Sequence, residues 1–133
     1  MHRVLAPGVV VEARKAMGGV AARLDEKLER EGRLETAPAH TMFGKSGTAK
    51  QFRPDGKGYY ERQYVSSFIA GAPMDRPRLV VLVVIDDPGP GLIAETQHYG
   101  SSVAGPVVRR IVERALPYLG VAPTKTDEQT EFN

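Results

Sequence analysis

Between Pro7 and Glu31, apolar residues recur at spacings of three and four, at Val10, Ala13, Met17, Val20, Leu24 and Leu28, with charges on the other faces. That period predicts an amphipathic helix. Gly18-Gly19 interrupts it and is the point at which it would split into two. Gly32 is placed to end the helix in a left-handed conformation. Leu34 to His40 has no clear period, and Pro38 argues against a central strand there. Three strand signals follow. Met42–Lys50 is rich in small residues, and Tyr64–Ala72 is aromatic and β-branched with partial alternation. Leu79–Ile85 is continuously apolar, which predicts a strand buried on both faces. Pro54 to Gly58 reads as a turn, and Pro73 to Pro77 spans a hairpin-sized link.

After a loop at Pro88 to Gly91, a strong helix is predicted from Ser102 to Leu119, with Pro106 in its first turn and Gly120 closing it. Val108, Ile111, Val112, Ala115, Leu116 and Leu119 form its apolar stripe. Arg109, Arg110, Glu113 and Arg114 lie opposite, on what reads as its wet face. The expected architecture is α+β, a three-stranded antiparallel meander with flanking N- and C-terminal helices. Residues 1–120 form the folded part, and residues 121–133 a polar, disordered tail.

Composition narrows the possibilities without deciding between them. The 133 residues are 41% hydrophobic and 26% charged, ordinary for a globular domain. Net charge is +2 and the basic residues are scattered rather than striped, so nucleic acid is not an expected partner. Tyr59-Tyr60, near Lys57 and Arg62, reads as a solvated loop rather than a base-stacking platform. Without Cys there is no disulfide, thiolate nucleophile or Cys-based zinc site. His2, His40 and His98 lack ligand-like spacing, so neither a metal nor a cofactor is expected. No segment approaches the ~20 apolar residues of a membrane span, and the N-terminus lacks a signal-peptide pattern.

Candidate chemistry concentrates in Gly44-Lys45-Ser46-Gly47-Thr48-Ala49-Lys50. In an extended chain Ser46, Thr48 and Lys50 share one face. Two hydroxyls and an ammonium together would suit a carboxylate, and Gly47 leaves space for a ligand backbone. A polar turn that merely contains these residues is the alternative.

Lys45-Ser46-Gly47-Thr48 resembles the K-[ST]-G signature of β-lactamases and penicillin-binding proteins. Three further blocks resemble class B penicillin-binding proteins in the same order. Tyr64 to Pro73 is similar to their next strand, Pro77 to Pro88 to the strand after it, and Tyr99 to Val107 to the loop into their last helix. The resemblance, continuous from Phe43 to Pro123, implies the C-terminal part of a serine D,D-transpeptidase domain acting on peptidoglycan stem peptides and β-lactams. It also implies residue roles. Lys45 would supply charge and assist proton movement, and the Thr48 N–H would be an oxyanion-hole donor. Ser46, Thr48 and Lys50 would bind the terminal carboxylate, and the strand edge with Gly47 would take the peptide backbone. Tyr64 and Tyr99 would form an apolar wall. His98-Tyr99-Gly100-Ser101 departs from the family's usual two aromatics and two glycines, which puts contacts at His98 in doubt.

Two of the family's signatures are missing. Three residues after Ser46, Ser66, Ser67, Ser101 and Ser102 stand Ala49, Ile69, Ala70, Ala104 and Gly105, so no S-x-x-K is present. The sole Asn is Asn133, so there is no S-x-N. Truncation and loss of activity both account for this. The resemblance further implies a parent anchored in the bacterial inner membrane, facing the periplasm and working beside a membrane-embedded glycan polymerase, with the N-terminal remainder of the same domain as partner. A β-lactamase-like hydrolase fragment and a non-catalytic binding module remain alternatives.

Overall fold

A computed structural model describes residues 3–125. Helix α1 (Pro7–Arg30) is followed by strands β1 (Phe43–Phe52), β2 (Tyr59–Ala72) and β3 (Leu79–Asp86). Helices α2 (Pro90–Ala94), α3 (Gly100–Val103) and α4 (Gly105–Tyr118) complete the order. The strands form one antiparallel sheet in the order β1-β2-β3, with Thr48 opposite Ser66 and Phe68 opposite Val83. The expected meander with flanking helices is therefore what forms. No helix among the described residues is long and apolar enough to cross a membrane.

Helix α1 does not split at Gly18-Gly19. Each glycine costs only about 1 kcal/mol relative to Ala, and burial of Ala21, Leu24 and Leu28 just beyond them outweighs that. The bare Gly18 backbone is also where Met74, from the link between β2 and β3, lies against the helix: a Cβ there would sit 3.1 Å from Met74 Sδ. The first hairpin is longer than expected. β1 runs on to Phe52 and β2 begins at Tyr59, so Tyr59-Tyr60 is strand rather than loop. Phe52 pairs with Tyr59 and their rings meet edge-on at 5.6 Å. Arg53 closes the turn through Asp55 and lies 5.7 Å from the Tyr60 ring. The polar residues that disguised this ribbon are those of a hairpin tip in water. α2 occupies the expected loop, and the closing helix is divided at Ala104 into α3 and α4.

The core forms where α1 and α4 cover the same face of the sheet. Leu24 and Leu28 of α1, Phe68 of β2 and Val108, Val112 and Leu116 of α4 are buried together. Gly105 allows this approach, since a Cβ there would lie 2.8 Å from Leu24. The stripe on α4 is rotated from expectation: Ile111 and Leu119 are exposed, and Arg109, expected on the wet face, is 3% exposed. Asp25 of α1 supplies the reason. Its carboxylate takes Arg109 Nε at 2.8 Å and also Nη2, while Arg109 Nη1 reaches the His40 carbonyl at 2.8 Å and Glu113 at 3.1 Å. Helix α4 turns to pair that charge. Arg110 and Arg114 do face solvent, both paired with Glu35.

The start of the expected tail is held to this network. Thr124 and Lys125 N–H groups donate to the Ala39 carbonyl at 2.9 and 3.0 Å, and Lys125 Nζ lies 3.1 Å from Asp25. The rest of the tail, residues 126–133, lies outside the described residues.

β3 departs most from the sequence reading. Val81 is buried under the helices, but Val80, Leu82 and Val84 are exposed at 66%, 59% and 52%, beside an exposed Ile69. A strand expected to be buried on both faces has one bare, because both long helices sit on the other. Among the described residues β3 also ends the sheet, with an unpaired backbone edge. Bare apolar faces and open edges recruit other chains. The 133-residue chain alone is therefore expected to self-associate, with Leu82→Lys reducing association. Sedimentation at rising concentration measures this. A concentration-independent monomer would show that the face and edge are tolerated in water.

Candidate functional site

The residues singled out from Lys45 to Lys50 lie on β1, which among the described residues is an edge strand with β2 on one side only. Its free side offers backbone N–H and C=O groups to an extended ligand. Pairing settles the faces. Ser46, Thr48 and Lys50 stand opposite Phe68, Ser66 and Tyr64, and share the face on which α1, α3 and α4 pack. Lys45 and Gly47 stand opposite Ile69 and Ser67 on the other face. A Cβ on Gly47 would lie 2.7 Å from Ser67 Oγ, so the glycine makes room for that hydroxyl.

Although Lys45 starts on the far face, its chain bends so that Nζ donates to the Ser46 carbonyl at 2.6 Å. It thereby joins Ser46 in a cleft of about 390 Å³ between β1 and α1, lined also by Arg23, Leu24, Lys27 and Ser101. Lys27 Nζ donates to Ser102 Oγ at 2.7 Å. Three cations thus border one cleft, and Lys27 alone of them has a carboxylate near, Glu31 at 3.8 Å, among the described residues. Sequence reasoning did not find Arg23 and Lys27. They read as the polar side of an amphipathic helix, and only the docking of α1 beside β1 brings them to the motif.

Thr48 is engaged from α3. The Gly100 N–H donates to Thr48 Oγ1 at 3.1 Å. Gly100 must be glycine to come this close, because a Cβ would collide with the Ser67 and Gly47 carbonyls. The Thr48 hydroxyl keeps its own proton to donate. Beyond it the rings of Tyr64, His98 and Tyr99 form a stack: His98 lies 4.4 Å from each tyrosine, centroid to centroid. Tyr64 is half-buried and Tyr99 exposed, so the stack emerges at the surface beside Lys50, the strand partner of Tyr64. His98 is in contact with both tyrosines. Lys45, Ser46, Thr48 and Lys50 therefore follow one another along β1, with Tyr64 paired to Lys50 and Tyr99 stacked on His98.

Chemically, this arrangement can hold an anion against two hydroxyls and nearby ammonium groups while an extended backbone pairs with the strand edge. It contains no serine with a lysine one helical turn on.

Comparison with known proteins identifies the family. Residues 3–113 match the family described as the penicillin binding protein transpeptidase domain. Stage V sporulation protein D of Bacillus subtilis is 39% identical over 101 residues, 76% of this chain and 15% of that protein. The probable peptidoglycan D,D-transpeptidase PenA of Neisseria gonorrhoeae is 41% identical over 83 residues, 61% of this chain and 13% of that protein. Among solved structures, the transpeptidase domain of Burkholderia pseudomallei penicillin-binding protein 3 is 34% identical with a TM-score of 0.54, covering 80% of this chain and 31% of that one. A peptidoglycan synthetase from Bifidobacterium adolescentis aligns with a TM-score of 0.65 and 26% identity over 95% of this chain and 21% of that one. The chain thus spans a small part of the length of its curated relatives. It belongs to the penicillin-binding protein transpeptidase family, and is a portion of a class B transpeptidase domain.

Proposed function

We propose that this chain supplies one wall of the active site of a peptidoglycan D,D-transpeptidase, the wall that binds the substrate's terminal carboxylate and completes the oxyanion hole. The observation that carries this is the placement of Lys45-Ser46-Gly47-Thr48 on a free sheet edge, with both hydroxyls on one face and a cation-lined cleft beside them. A stem peptide ending in D-Ala-D-Ala would pair its backbone with β1 and place its carboxylate on the Ser46 and Thr48 hydroxyls. Strand addition of this kind draws affinity from main-chain hydrogen bonds. Lys50 adds positive charge, Gly47 keeps the strand slim, and Tyr64 and Tyr99 flank the acyl group. Lys45 lies beside the reacting serine, where a positive charge favours loss of the hydroxyl proton and attack on the carbonyl. As that carbonyl becomes tetrahedral its oxygen turns anionic, and the Thr48 N–H stabilises it. The serine, its activating lysine and the S-x-N motif belong to the remainder of the domain. That parent is anchored in the bacterial inner membrane, faces the periplasm and works beside a glycan polymerase. β-Lactams enter as carboxylate-bearing mimics of the substrate.

The test compares two proteins exposed to a fluorescent penicillin and analysed by intact mass spectrometry. The full-length protein gains one penicilloyl group, and the 133-residue chain gains none, because acylation needs a nucleophile with an adjacent base. A stoichiometric adduct on any serine of this chain, or no adduct on the full-length protein, overturns the reading.

A further inference from the structure

We propose that His98 is a positioning residue for the carboxylate-binding hydroxyl of Thr48, acting through the Gly100 N–H. This rests on the transpeptidase reading above and adds a residue to it. His98 is 7% exposed, and its Nδ1 is buried without a hydrogen-bond partner among the described residues. A buried polar nitrogen left unpaired destabilises the fold, so the ring is held by its neighbours and not by its own hydrogen bonds. Those neighbours are Tyr64 and Tyr99, each 4.4 Å away. The backbone at the same residue is pinned separately, since the buried Ser66 hydroxyl donates to the His98 carbonyl. Ring and carbonyl together fasten residue 98 to β2.

Two residues later the chain delivers the Gly100 N–H to Thr48 Oγ1 at 3.1 Å. That bond has a consequence for ligand binding. A free threonine hydroxyl rotates, and its proton points wherever solvent takes it. Here one lone pair of Oγ1 is occupied by the Gly100 N–H, which leaves the hydroxyl proton to point away from α3, toward an incoming carboxylate. Thr48 itself is exposed and its side chain has no other hydrogen-bond partner among the described residues, so this bond is the one that orients its hydroxyl. Removing the ring takes away one of the two fastenings of residue 98, so the Gly100 N–H, and the orientation of Thr48 with it, is held less tightly. Carboxylate affinity then falls while the chemistry at the carbonyl does not change. The role needs a flat ring and no proton: a phenyl group stacks equally well and removes the unpaired nitrogen.

The experiment uses the full-length protein and two probes, benzylpenicillin and its methyl ester, which lacks the carboxylate. His98→Ala is expected to raise the concentration for half-maximal acylation by benzylpenicillin about tenfold, the scale of one charge-assisted hydrogen bond. The maximal acylation rate, and both constants for the ester, should not move. His98→Phe should restore the wild-type value and raise Tm. If His98→Ala proves too unstable to assay, a double-mutant cycle with His98→Phe, His98→Leu and Thr48→Val answers the question, since the cost of His98→Leu must vanish once the Thr48 hydroxyl is gone. Equal losses on acid and ester, or His98→Phe no better than His98→Ala, overturn the proposal. Absence of any acylation by the unsubstituted protein would instead overturn the transpeptidase reading on which it rests.

Discussion

Lys45→Ala in the full-length protein is expected to lower the rate of acylation by a β-lactam about 10²–10⁴-fold, the range of a lost proton-transfer group. Tm should stay within about a degree, because surface substitutions away from packed features change stability by roughly 0.5 kcal/mol or less. The separation of the two effects follows from the geometry. Lys45 is exposed, and its only hydrogen bond among the described residues is to the neighbouring Ser46 carbonyl. It carries none of the core packing, which falls to Phe68, Leu24, Leu28 and the buried face of α4. Its ammonium sits in the cleft beside Ser46, where the reading above places the reacting serine. Lys45→Arg is the informative companion. Guanidinium keeps the charge but gives up a proton far less readily than an ammonium, so recovery of the rate would mark an electrostatic role and failure a proton-transfer role. Stopped-flow acylation together with thermal melting distinguishes the cases, and a folded Lys45→Ala protein with an unchanged rate would remove Lys45 from the mechanism.

What the sequence disclosed here, and what it hid, divides along physical lines. Periodicity located α1 and the closing helix, partial alternation β2, a continuous apolar run β3, and a run of small residues β1, which buries little besides Gly44. It failed wherever stabilisation is not apolar. The outer half of the first hairpin is held by a Phe52–Tyr59 edge contact and an Arg53–Asp55 pair, none of which has a period. Helix α4 is rotated because Asp25, on a helix far away in sequence, accepts Arg109. The motif strand was legible as chemistry because hydroxyls and lysines alternate along it. Its surroundings were not. Arg23 and Lys27 come from α1 and Gly100 from α3, and no local pattern announces that these reach β1. His98 illustrates the limit most clearly: the sequence showed a departure from a familiar pattern, and only the fold shows the ring between two tyrosines.

The largest expected effect on stability lies away from the proposed catalytic edge, at Arg109. This guanidinium is almost fully buried and satisfies three acceptors at once: the Asp25 carboxylate, the Glu113 carboxylate and the His40 carbonyl. Asp25 and Glu113 are themselves largely enclosed, with side chains 14% and 18% exposed. Arg109→Ala therefore leaves two carboxylates in a poorly solvated site, with Lys125 remaining beside Asp25 and the His40 ring, 3.3 Å away, beside Glu113. Breaking a buried pair in this way costs about 3–5 kcal/mol, a large share of the roughly 5–15 kcal/mol that holds a domain folded. The consequence reaches β1, because the peptide immediately before it is part of the network: Ala39 N–H donates to Glu113 at 3.0 Å, and His40 O accepts from Arg109. A loosened network should thus expose the Ala39–Met42 amides to exchange before those of β2. Arg110→Ala is the matched control on the same helix, since Arg110 is 51% exposed and, among the described residues, pairs only with Glu35; it should cost less than about 1 kcal/mol. Thermal unfolding and amide exchange of the three full-length proteins decide the matter. If Arg109→Ala melts with Arg110→Ala, the buried network contributes nothing net, and the rotation of α4 must be credited to apolar packing alone.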